Sequence, residues 1–144
     1  MPQVPRYSFE IDVNVAWGDM DALGHVNNVT YARYFETVRA EFFLNLKRRH
    51  NFEMPADRAM FMTSLHINYR RQLVFPARLT LTLGIVEVHA RSLVLGCSMW
   101  DGEGQCVADG ESHHIWIDLQ RTRPTRMPPD FQRVAQELMF QEDD

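Results

Sequence analysis

A single long run of helical periodicity, set in a chain that otherwise alternates residue by residue, is the strongest constraint on how this sequence folds. From Tyr31 the large apolar residues fall at Tyr34, Phe35, Val38, Phe42 and Leu46, the spacing of a helix with one buried face. Arg33, Glu36, Thr37, Asn45 and Lys47 fall between them. The expected helix runs to about residue 50. Asn27 or Asn28 caps its start, since either side chain can accept from an unpaired first-turn N–H.

The rest of the chain reads as strand. Residues 7–16 alternate apolar and polar. Residues 61–71 place Phe61, Thr63, Leu65, Ile67 and Tyr69 on one face, and 77–88 do the same with Leu79, Leu81, Leu83 and Ile85. In 92–100 the apolar face is Leu93, Leu95, Cys97 and Met99. Asp101-Gly102-Glu103-Gly104 is a turn signal before a long last strand over 105–119. There Ala108, Gly110, Ser112 and His114 share a face small enough for a helix to lie close. A basic exit from Arg121 to Pro129 follows, then a short amphipathic helix carrying Phe131, Val134, Ala135 and Leu138, and an acidic tail.

This order is an α+β fold: an antiparallel sheet of about five strands, one long helix and a short C-terminal helix. One helix covers one face and leaves an edge open. The run Ser64 to Tyr69 has neither proline nor lysine to guard an edge, so a second copy of the chain is expected to pair there.

Composition narrows the class. The 144 residues are expected to form one domain over 1–144, with 45% hydrophobic and 24% charged residues. A net charge of −4 disfavours nucleic acid as a general partner. Cys97 and Cys106 lie in strands and suggest no disulfide framework. Residues 1–16 lack a secretory pattern, and no apolar run approaches the roughly 20 residues that cross a bilayer. The expectation is a soluble cytoplasmic protein with no membrane partner.

The chemistry is concentrated in Trp17-Gly18-Asp19-Met20-Asp21-Ala22-Leu23-Gly24-His25-Val26-Asn27-Asn28, directly before the helix. A helix start presents unpaired N–H groups and the positive end of its dipole, a suitable place to polarise a carbonyl oxygen. Asp21 in such a loop can act as nucleophile or as general base toward water. Equally, Asp19 and Asp21 can brace the turn. Asp19, Asp21 and Gly24 match three positions of a calcium loop, but Leu23 and Thr30 stand where further ligands belong, and the calcium reading fails. His25 either orients water or substrate, or holds the loop. His113 and His114 face opposite ways on a strand, and no zinc pattern is present. Arg91-Ser92, and likewise Arg70-Arg71, read either as phosphate contacts or as solvated turn residues. Tyr31, Tyr34, Phe35 and Phe42 are core, or one wall of an acyl pocket.

Val15-Ala16 followed by this stretch, then Tyr31 and Tyr34-Phe35-Glu36, resembles the hotdog-fold acyl-CoA thioesterases of the 4-hydroxybenzoyl-CoA thioesterase family. Asn68-Tyr69-Arg70 and Arg91-Ser92-Leu93 extend the resemblance more weakly. It implies a sheet wrapped around the long helix, a homodimer or dimer of dimers, and active sites at the subunit interface. It implies hydrolysis of an acyl-CoA to free acid and CoA, with Asp21 catalytic, His25 assisting and the N–H near Asn28 polarising the thioester carbonyl. Tyr31 would close the pocket, and Arg91 and Ser92 would contact coenzyme A phosphates. No metal or redox cofactor is implied; CoA enters as part of the substrate. The His25-Val26-Asn27-Asn28 run is similar to long-chain acyl thioesterases of the family rather than to the hydroxybenzoyl enzymes. A non-catalytic acyl-CoA or acyl-carrier binding module and a hotdog dehydratase remain the alternative readings.

Overall fold

The computed structural model describes residues 3–141. In chain order the elements are β1 (Phe9–Asn14), a single 3-10 turn (Trp17–Asp19), α1 (Asn28–His50), β2 (Arg58–Tyr69), β3 (Arg78–Val88), β4 (Ser92–Trp100), β5 (Cys106–Asp118), β6 (Arg123–Pro124) and α2 (Pro129–Glu137). This is the expected order, with β6 added as two residues of the basic exit. The acidic tail at 142–144 lies outside the described residues.

All strand pairs are antiparallel, in the order β1-β3-β4-β5-β2, with β6 beside β5. The sheet is therefore not a simple meander. β3, β4 and β5 follow one another as neighbours, but the connection over residues 70–77 carries the chain from β2 at one edge to β3 beside the other. Eight residues are too many for a tight hairpin turn and allow that crossing.

α1 has the expected buried face: Thr30, Tyr31, Tyr34, Phe35, Val38, Phe42 and Leu46. All but Thr30 join Leu79, Leu81, Leu83 and Ile85 of β3 and Leu93, Leu95, Cys97 and Met99 of β4 in one apolar cluster, as the hotdog arrangement requires. Each large side chain so buried contributes about 1.5–3 kcal/mol. Asn51 ends the helix in the left-handed conformation at φ 54°, after a last turn of Lys47, Arg48, Arg49 and His50 that complements the dipole. Phe131 of α2 packs on Phe52 and Trp116.

Two features of the sheet depart from strict alternation. In β2 the pairing moves from Met62 opposite His114 to Ser64 opposite His113, leaving Thr63 as a bulge. A bulge reverses which face the later residues occupy. Met60 and Ile67 therefore pack toward the core, while Phe61, expected to share a face with Ile67, is 50% exposed. In β4 both faces are buried, because Tyr7 lies across the outer face. It crosses the paired glycines Gly84 and Gly96, where added β-carbons would lie 2.6 and 2.1 Å from its ring and hydroxyl. The Phe140 ring meets it edge-on at 4.7 Å.

The small face of β5 is buried as expected, but at Gly110 the close neighbour is a strand rather than the helix. A β-carbon there would lie 2.1 Å from the His66 carbonyl oxygen. Cys97 and Cys106 are both free, and no helix among the described residues is long and apolar enough to cross a membrane.

Gly110→Ala is expected to cost about 2 kcal/mol, since a backbone carbonyl has to move to admit the methyl group. Gly102→Ala, with nothing within 4 Å of the added carbon, is expected to stay within about 0.5 kcal/mol of the parent. Urea unfolding of both variants checks the contrast.

Candidate active site

The loop before α1 is a small hairpin. Met20 and Val26 form a bridge, the Asp21 N–H donates to the His25 carbonyl at 2.9 Å, and the Gly24 N–H donates to the Asp21 carbonyl at 3.1 Å. Gly24 makes the reversal at φ 82°, where a side chain would be strained. The hairpin thus sets Asp21 and His25, four residues apart in sequence, directly opposite each other. It is pinned by Val26 N–H to the Leu73 carbonyl and by Asn27 N–H to the Asp19 carbonyl.

Asn27 is the cap: its Oδ1 accepts from the Val29 N–H at 2.9 Å. Asn28 is therefore the first helical residue, and its N–H takes no acceptor among the described residues. The same end carries the positive pole of a 23-residue helix.

The two aspartates divide the readings left open by the sequence. Asp19 braces the loop. Its Oδ2 accepts from the Ala16 N–H at 3.0 Å and the Tyr34 hydroxyl at 2.7 Å, and its Oδ1 takes the Arg33 guanidinium. Partial burial works to raise its pKa, but the Tyr34, Ala16 and Arg33 contacts outweigh it and hold the carboxyl below its ordinary value. Burial and the Asp19 contact push the Tyr34 phenol upward. Asp21 is committed differently. Its Oδ1 accepts only from the Leu23 N–H at 2.9 Å, and Oδ2 has no donor among the described residues.

Asp21, His25, Asn28 and Tyr31 line one cavity of about 450 Å³. Tyr31 is a fixed wall, 2% exposed, with its hydroxyl donating to the Arg71 carbonyl at 3.2 Å and its phenol pKa raised by burial. Arg91 and Ser92 are elsewhere in the chain. They occupy the β3–β4 turn and the start of β4, with Ser92 opposite Ile115 of β5, whereas Tyr69 at the cavity stands opposite Ala108. Seven residues of strand separate the two positions, about 23 Å.

Arg70 and Arg71, which the sequence leaves as phosphate contacts or solvated turn residues, also line the cavity, together with Tyr69 and Gln72, to which sequence reasoning assigns no site role. Arg70 is held by Asp109. The available signal was the polar, cationic cluster closing β2, but nothing in strand periodicity shows that the end of an edge strand meets the start of the helix. Among the described residues no cluster of His, Cys, Asp and Glu is arranged to hold a metal ion.

Comparison with known proteins gives a consistent pattern. The family described as the thioesterase-like superfamily matches residues 15–134. The chain is 26% identical over 133 residues to the long-chain acyl-CoA thioesterase FadM of Escherichia coli, covering 90% of this chain and 98% of that protein. It is 23% identical over 139 residues to the L-carnitine dehydrogenase/betainyl-CoA thioesterase of Agrobacterium fabrum, covering 96% of this chain and 28% of that longer protein. Among solved structures, the PA2801 protein of Pseudomonas aeruginosa superposes with a TM-score of 0.76 at 26% identity, over 88% of this chain and 96% of that one.

Asp19→Asn is expected to lose about 1–3 kcal/mol of stability at pH 7, because it weakens a three-donor carboxylate site. With a folded pKa below the ordinary 3.8, the contribution of ionised Asp19 is complete above that value and is lost as pH falls through the folded value. The gap between parent and variant should therefore close below pH 3.8. Urea unfolding at pH 7 and near pH 3 measures it.

Proposed function

The chain belongs to the thioesterase-like superfamily, and from that premise we propose that it hydrolyses an acyl-CoA thioester to the free acid and CoA in the cavity beside the α1 N-terminus. One observation carries the reading: Asp21, with an uncommitted carboxylate oxygen, and Asn28, the first residue of α1, line the same cavity.

With the thioester carbonyl oxygen at the Asn28 N–H, negative charge that develops in the tetrahedral state meets a donor and the helix dipole. One such donor is worth about 10²–10³ in rate. Two routes use Asp21. In the first, its oxygen bonds to the carbonyl carbon, the C–S bond breaks to release CoA thiolate, and water then cleaves the mixed anhydride. In the second, Asp21 takes a proton from water as that water attacks. Label from ¹⁸O water retained in Asp21 marks the anhydride route. His25, opposite Asp21, positions the water or the acyl group. Asp21 and the helix amide supply the chemistry without a metal or redox cofactor.

The working unit in this reading is at least a homodimer, with residues 1–144 as one cytoplasmic domain. The exposed, unguarded edge of β2 supports pairing with a second copy. Arg91 and Ser92 lie about 23 Å along β5 from their own cavity, and in this reading they reach a CoA phosphate at the partner's site.

Thiol release, followed across short, medium, long and aromatic acyl-CoAs, is expected for the parent and to fall at least 100-fold in Asp21→Asn, about 2.7 kcal/mol of barrier. Equal rates would remove Asp21 from the chemistry. Tight binding without thiol release would favour the binding-module alternative. For the shared site, co-expressed Asp21→Asn and Arg91→Ala chains are expected to form mixed dimers more active than either variant alone. One of their two sites then has an intact Asp21 together with an intact Arg91.

A further inference from the structure

Two cavities meet at Tyr69. The first is the polar one with Asp21, His25 and Arg71. The second, about 490 Å³, lies between the first turns of α1 and the end of β2, where Val29, Ala32, Leu65 and Ile67 give it an apolar lining with His66 at its border. Tyr69 and Asn28 line both. Tyr69 is the last residue of β2, and its hydroxyl donates to the Asn28 carbonyl at 3.2 Å. Its ring stands perpendicular to that of Tyr31, with centroids 5.1 Å apart. The side chain is thus a strut from the sheet edge to the helix start, placed between a polar chamber and an apolar one.

We propose that Tyr69 is a specificity-determining partition: it sets how far the acyl chain of the substrate passes from the Asn28 amide into the apolar cavity. The inference rests on the thioesterase reading above. Its physical basis is the division of chemistry around a shared wall. The reacting carbonyl belongs at Asn28, which both cavities touch. The thiol side of the substrate, polar and anionic, suits the chamber with Arg70 and Arg71. Hydrocarbon gains by lying in the groove of Val29, Ala32, Leu65 and Ile67, where each added methylene is partly withdrawn from water. Tyr69 is also the movable member of the aromatic pair: it is 48% exposed and held by one neutral hydrogen bond, whereas Tyr31 is 2% exposed. A chain lying along Leu65 to Tyr69 follows about 13 Å of strand.

The test is the ratio of kcat/KM for palmitoyl-CoA to that for butyryl-CoA. Tyr69→Ala removes the partition and is expected to raise the ratio at least about 10-fold, the scale on which apolar pockets discriminate. Tyr69→Phe keeps the ring and is expected to leave the ratio in place. Val29→Trp fills the apolar cavity from its opposite wall and is expected to lower the ratio. Tyr69→Leu repeats the experiment with more apolar bulk if the alanine variant does not fold. An unchanged ratio in the folded Tyr69→Ala or Tyr69→Leu protein, with parent activity intact, overturns the partition and leaves the thioesterase reading standing. A parent that releases no thiol from either substrate overturns both.

Discussion

The position of the whole site depends on how the Asp19 carboxylate is shared. It receives the Ala16 amide from the chain behind it, and Tyr34 and Arg33 from the second turn of the helix ahead. A half-exposed loop of this length would otherwise sample many conformations at about 1–2 kcal/mol of backbone entropy per ordered residue. One small side chain with three donors replaces that freedom with a fixed distance between loop and helix. Asn27, capping the helix while its own N–H holds the Asp19 carbonyl, closes the same circuit from the other side. Asp19 takes the structural role, while Asp21 keeps one carboxylate oxygen without a donor among the described residues.

Much of this was legible in the sequence where one local rule governs. The helix from Asn28, the strand at Ser92–Trp100 and the gathering of Asp21, His25, Asn28 and Tyr31 follow from periodicity, capping and a recognisable motif. What was not legible depends on contacts between distant segments. Thr63 carries no mark of a bulge, because the extra residue is defined only against its partner strand β5. Tyr34 reads as one more apolar stripe residue, and only the return of the loop gives its hydroxyl a carboxylate. Tyr69 has the same difficulty: its meaning comes from the crossover that puts β2 at the edge, beside the start of α1.

That edge position links fold to chemistry. A strand in the middle of the sheet is paired on both sides and cannot present an end to the helix in this way. β2 keeps one side open, and the bulge re-aims its later residues so that Leu65 and Ile67 border a cavity at the first turns of α1. The two relatives named for their substrates differ widely in acyl group, one long-chain and one betainyl. In this chain the two cavities divide between elements, the polar one at the loop before α1 and the apolar one along the end of β2.

The aromatic pair on the outer face bears on the chain ends. Tyr7 belongs to the segment before β1 and Phe140 to the segment after α2, yet their rings meet above Gly84 and Gly96, and the Phe140 N–H is bonded to the Ile85 carbonyl. The two ends therefore work as a clasp. Tyr7 covers the two glycines, and Phe140 packs on the edge of that ring. The segments before β1 and after α2 therefore bear on each other at one place on the sheet, although 132 residues lie between those two rings.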